Sequence, residues 1–142
     1  MISGPTKILV ADDDDEDLDL IEEYILLVEP AVQLYKFMDG LSAYEYLLSR
    51  PDDDLPSLII LDYNMPGLNG AQLLGALNSS SRYGPIPKVV LSSASTAKFI
   101  EESLNNGAND YIVKPGTIDE IYEMAKKLVA LARKEINPQE GK

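Results

Sequence analysis

Short apolar runs alternate along this chain with longer segments whose apolar positions recur every three or four residues. The first run, KILVAD at Lys7–Asp12, predicts a strand. Glu16–Glu29 follows as a helix with Leu18, Ile21, Ile25 and Val28 on one face, and Pro30 closes it. Val32–Phe37 predicts a second strand, weaker in pattern. Asp39-Gly40 turns the chain into a helix over Ser42–Ser49, followed by a polar loop at Pro51–Pro56. Leu58–Asp62 reads as strand three, and Ala71–Ser79 as a helix with Leu73, Leu74 and Leu77 facing inward. A Ser-, Gly- and Pro-rich loop, Ser80–Pro87, leads to a fourth strand at Lys88–Ser92. The helix Ala97–Asn106 ends at Gly107, a left-handed cap. Asp110–Lys114 is the fifth strand, and Ile118–Glu135 the last helix, leaving Asn137–Lys142 as a frayed tail.

Five strand–helix units in strict alternation predict an α/β fold, a doubly wound parallel sheet covered by helices on both faces. No repeat and no Gly/Ser linker divides the 142 residues, so one domain is expected, with its core over about residues 7–135. In such sheets ligands bind beyond the carboxyl ends of the strands. Those ends carry chemistry. Asp12 and Asp13 follow the first strand, Asp62 the third, Ser92 and Ser93 the fourth, and Lys114-Pro115 the fifth.

Composition narrows what that rim can do. The chain has 24 acidic and 12 basic residues, a net charge of −12, which repels nucleic-acid backbones. It has no cysteine and no histidine, which excludes disulfides, thiolate or imidazole metal sites and serine–histidine triads. No apolar run approaches the ~20 residues that span a membrane. The start, MISGPTK, has no secretory signal, so a cytoplasmic protein is expected. Three carboxylates drawn together raise one another's pKa unless a cation intervenes. A hard ion with oxygen ligands, Mg²⁺, suits this set. A free carboxylate beside that ion, an ammonium and a hydroxyl is arranged to accept a phosphoryl group.

Asp12-Asp13, LDYNMPGLNG around Asp62, Ser92 and YIVKP at Tyr111–Pro115, in this order and spacing, resemble the receiver domains of two-component response regulators. The resemblance covers about Lys7–Glu135. It implies a flavodoxin-like (βα)5 fold with strand order 2-1-3-4-5. It implies Asp62 as phosphoacceptor and Mg²⁺ held by Asp12, Asp13, Asp62 and the main-chain carbonyl of Asn64. Ser92 and Lys114 would contact phosphoryl oxygens, and the peptide bond before Pro115 would be cis. Ser92 and Tyr111 would form the switch. The donor would be a phosphohistidine on a sensor kinase or phosphotransfer protein, and the chain would catalyse only its own phosphorylation and dephosphorylation. A stand-alone receiver is expected, its output an unknown downstream protein read by the fourth helix, fifth strand and fifth helix, including Lys98, Tyr111 and Tyr122. A phosphorelay intermediate remains an alternative, and the family leaves room for a phosphorylation-dependent homodimer. Ala94, two residues past Ser92, neither orients nor blocks water strongly, which predicts an intermediate phosphoryl lifetime.

Blander readings compete at several positions. Asp14, Asp15, Glu16 and Asp17 read as acids at a helix start, where they suit the dipole. Tyr44, Tyr46 and Tyr83 read as structural. An EF-hand calcium loop needs glycine where Asp17 stands. A haloacid-dehalogenase phosphatase needs a second acid at Asn64, where an amide cannot exchange the proton. Flavin binding would need amides and hydroxyls after the first strand. A pseudo-receiver that never takes phosphate fits poorly with intact Asp12, Asp13, Asp62, Ser92 and Lys114.

Overall fold

The computed structural model describes residues 5–136. Five strands form one sheet: β1 (Lys7–Ala11), β2 (Gln33–Phe37), β3 (Leu58–Leu61), β4 (Lys88–Ser92) and β5 (Asp110–Val113). Their order is β2-β1-β3-β4-β5, every neighbour parallel. The helices are α1 (Asp15–Val28), α2 (Gly40–Ser49), α3 (Gly70–Asn78), α4 (Ala97–Asn105) and α5 (Ile118–Ala132). Single 3₁₀ turns at Asp52–Asp54 and Ser81–Tyr83 lie within the two segments expected as loops. Order and connectivity are those of the expected flavodoxin-like (βα)5 fold.

Alternation along each strand sorts its side chains onto two cores. Leu9, Ala11, Ile59, Leu61 and Val90 face α2 and α3, where Ala43, Leu47, Leu73, Leu74 and Leu77 are buried. Ile8, Val10, Leu58, Ile60, Val89 and Leu91 face α1 and α5, against Leu18, Ile21, Ile25, Leu128 and Val129. Each such Leu, Ile or Val side chain contributes roughly 1.5–3 kcal/mol by leaving water. Tyr83 is buried, and Tyr44 and Tyr46 pack against the first core, as their structural reading requires.

Element ends follow their caps. The Asp39 carboxylate accepts from the Ser42 amide at 2.7 Å, so α2 starts at Gly40, two residues before the expected Ser42. Gly107, at φ +110°, ends α4 in a Schellman motif, with Ala108 N–H on Ser103 O and Gly107 N–H on Leu104 O. Lys134, at φ 60°, ends α5 in the same way, so this helix stops at Ala132 and not at Glu135. The expected tail at Asn137–Lys142 lies outside the described residues.

Candidate functional site

Backbone ladders carry two aspartates just past the strand ends. Asp12 N–H donates to Phe37 O and Asp62 N–H to Ala11 O, each at 2.9 Å. Both side chains are thereby delivered to the carboxyl rim, Asp12 1% and Asp62 7% exposed. Asp13 is exposed beside them, and one carboxylate oxygen from each of the three lies within 4.8 Å of the others. Asp12 Oδ1 also accepts the Asp14 amide at 3.0 Å, while Asp14 caps α1 through the amides of Glu16 and Asp17. Burial, with Asp62 adding to it, pushes the Asp12 carboxyl up to about 6 despite the lysine and amide that hold it down.

Lys114 reaches this cluster from the far side of the sheet. Its main-chain N–H donates to Ser92 O at 2.9 Å, extending β5 by one residue. Its ammonium lies 2.7 Å from Asp17, 2.8 Å from Asp12 and 3.4 Å from Asp62. Desolvation alone would lower its pKa; the bonds to Asp12 and Asp17 outweigh that and hold it above the ordinary lysine value. The cis bond expected before Pro115 is absent, since every described peptide bond is trans. The extended ladder and the long lysine stem already bring the ammonium to the acids, and trans is favoured by about 0.5–1 kcal/mol before proline.

Ser92 is 1% exposed at the end of β4, its hydroxyl accepting the Ala94 amide at 3.3 Å. Tyr111 is half-buried against the first core, and its hydroxyl donates to Ala94 O at 2.7 Å. The two predicted switch residues thus meet through one short loop segment. Asn64 is exposed two residues past Asp62, on the loop that the Gly70 amide pins to Tyr63 O at 2.8 Å. Lys98 and Tyr122 are exposed on α4 and α5.

Two residues gain parts that sequence reasoning did not give them. Asp17, read as a helix-start acid, pairs with Lys114. The signal was its position four residues after Asp13, one turn into the helix that starts at the same rim. Tyr63 is buried next to Asp62, stacks on Phe99 and donates to Glu102. No spacing in the sequence announces that contact between distant elements.

Fold and rim together define a doubly wound α/β protein that carries carboxylates, an ammonium and a hydroxyl at the carboxyl ends of its strands. Residues 8–126 match the response regulator receiver domain, and the chain belongs to that family of two-component signalling proteins. It is 32% identical to the two-component response regulator ARR15 of Arabidopsis thaliana, over 99% of this chain and 68% of the relative. With ORR5 of rice the identity is 30%, over 89% of this chain and 90% of the relative. Among solved structures, the phosphorylated cyanobacterial phytochrome response regulator RcpA superposes with a TM-score of 0.84 at 26% identity, covering 94% and 98% of the two chains. The Mn²⁺-bound form of response regulator Rcp1 gives 0.77 at 25% identity, covering 89% and 93%. Receiver domains are signalling modules and not metabolic enzymes, and among the described residues no helix is long and apolar enough to cross a membrane.

Proposed function

We propose that Asp62 accepts a phosphoryl group from a phosphohistidine on a histidine kinase or phosphotransfer protein. The observation that carries this reading is the cluster of Asp12, Asp13 and Asp62 with the Lys114 ammonium among them. The donor set consists of hard oxygens and suits Mg²⁺; Asp12, Asp13, Asp62 and the Asn64 carbonyl would hold it. When bound, the ion neutralises charge on the phosphoryl oxygens. Asp62 attacks phosphorus through a carboxylate oxygen, the P–N bond to the imidazole breaks, and the departing imidazole takes up a proton. Lys114 offers its ammonium to a phosphoryl oxygen, and Ser92 its hydroxyl to another. Water later attacks phosphorus, the P–O bond to Asp62 breaks, and inorganic phosphate leaves with the free carboxylate restored, a step that Ala94 neither assists nor strongly blocks.

The output is a change of surface. Phosphorylation draws Ser92 inward and biases the segment that Tyr111 holds through Ala94, shifting an equilibrium between two packings. A downstream protein, or a second copy of the chain, would read α4, β5 and α5 near Lys98, Tyr111 and Tyr122. Action through this surface is one outlet, and onward transfer in a phosphorelay is the other. A cytoplasmic site of action fits a donor that is itself charged from ATP.

Incubation with Mg²⁺ and acetyl phosphate, followed by intact-mass measurement, tests the proposal. One added phosphoryl group is expected, absent in Asp62→Asn and absent when the metal is chelated. Steady release of phosphate with rapid turnover, or no mass change at all, would overturn it.

A further inference from the structure

Lys114 is held by three acids, and one of them stands apart from the carboxylate trio. Asp12 and Asp62 belong to that trio; Asp17 does not, yet it makes the closest contact, at 2.7 Å. The three differ in position. The Asp12 and Asp62 side chains are 2% and 9% exposed, that of Asp17 33%, so two grip the ammonium from within and one from the solvent side. Asp17 is itself fixed in the first turn of α1, its amide donating to Asp14 Oδ1 at 3.3 Å. A lysine ammonium has three hydrogens and can serve all three acids at once. A divalent ion entering the trio competes with it for two of them. Stripped of both and offered nothing else, a mostly buried ammonium would resist that exchange, because unpaired charge in such surroundings is costly.

We propose that Asp17 is a positioning residue for Lys114. It keeps one hydrogen bond to the ammonium while Asp12 and Asp62 pass from lysine to metal, and it holds the ammonium within reach of a phosphoryl group on Asp62. This inference rests on the receiver reading and deepens it, assigning a function to an acid outside the ion's own ligand set.

The test is a double-mutant cycle on Mg²⁺ affinity, measured by calorimetry with the full chain: unaltered, Asp17→Asn, Lys114→Met and both. With Lys114 present, Asp17→Asn should weaken Mg²⁺ binding about fivefold; with Lys114→Met in place, the same change should matter less than about twofold. Equal weakening in both backgrounds would make Asp17 only one more negative charge and would overturn the proposal, as would no weakening in either. As a second readout, phosphorylation by acetyl phosphate at saturating Mg²⁺ should slow about fivefold in Asp17→Asn and recover in Asp17→Glu, which restores the pair. Slowing that Asp17→Glu fails to relieve also overturns it. An unaltered chain that takes up neither ion nor phosphoryl group brings down the receiver reading itself. An unaltered chain that takes up both, with a flat cycle, removes only the part given to Asp17.

Discussion

The Tyr63 ring lies stacked on Phe99, centroids 4.4 Å apart and planes 20° from parallel, so the residue after Asp62 is clasped by α4. Its hydroxyl donates to Glu102, one turn further along the same helix, and that bond pushes the phenol up to about 12. This helix has little else to hold it. Its cap residue Thr96 makes no side-chain bond to the first turn, and Ser103 is its one buried residue. Tyr63→Phe should therefore cost about 1–2 kcal/mol, and Phe99→Ala about 2 kcal/mol. Hydrogen exchange should accelerate in α4 well before it does in β1 or β3. Uniform acceleration across the domain would show that the clasp is no special support for this helix.

Gly70 opens α3 where the chain turns back under Asp62. A Cβ there would lie 2.6 Å from Asp62 O and 3.0 Å from Tyr63 Cα, both backbone atoms that no rotamer change can move aside. Gly70→Ala should destabilise the fold by about 1–3 kcal/mol, read from denaturant midpoints. Because the displaced atoms belong to Asp62 and its neighbour, phosphorylation should slow as well. A variant of unaltered stability would mean that the loop yields freely.

How far the chain could be read in advance follows from where its information lies. β1, β3 and β4 are buried on both faces and announce themselves as apolar runs. Asp12 and Asp62 follow such runs directly and Lys114 follows the half-buried β5, so their meeting at one rim was legible from topology. Gly107 marked the end of α4, whereas the end of α5 depends on Lys134 adopting a left-handed conformation that no residue type advertises. The pairing of Asp17 with Lys114 and the clasp of Tyr63 by α4 join residues 97 and 39 positions apart, where no local pattern operates. The trans bond before Pro115 is a local choice, made by the energetics of one peptide unit once the lysine can reach without it.

The Asp39 carboxylate accepts the Ser42 amide at 2.7 Å and the Ser42 hydroxyl at 2.9 Å, and the amide bond foremost holds its pKa below the ordinary aspartate value. Asp39→Ala should cost about 1 kcal/mol at neutral pH. An acid with a depressed folded pKa stabilises above its unfolded value, here 3.8, and loses that contribution as pH falls through the folded value. The stability gap between the two proteins should thus be constant from pH 7 to about 5 and narrow below 4. A gap that widened in acid would contradict this sign.

Asp13 completes a trio whose carboxylate oxygens crowd within 4.8 Å in a chain of net charge −12. Without a cation these like charges repel, by about 0.5–1 kcal/mol for an exposed pair at this separation. Asp13→Asn should accordingly stabilise the metal-free protein by about that amount, although it alters the proposed ion site. In the unaltered protein, Mg²⁺ at about 100 times its Kd should add roughly 2.7 kcal/mol of stability by binding the folded state alone. Most of that gain should vanish in Asp13→Asn, because one of the carboxylates that grip the ion is gone. Thermal melts of both proteins with Mg²⁺ and with a chelator separate the two effects. A destabilised Asp13→Asn that still responds fully to Mg²⁺ would mean that the acids do not share an ion, and that charge at the rim is balanced in some other way.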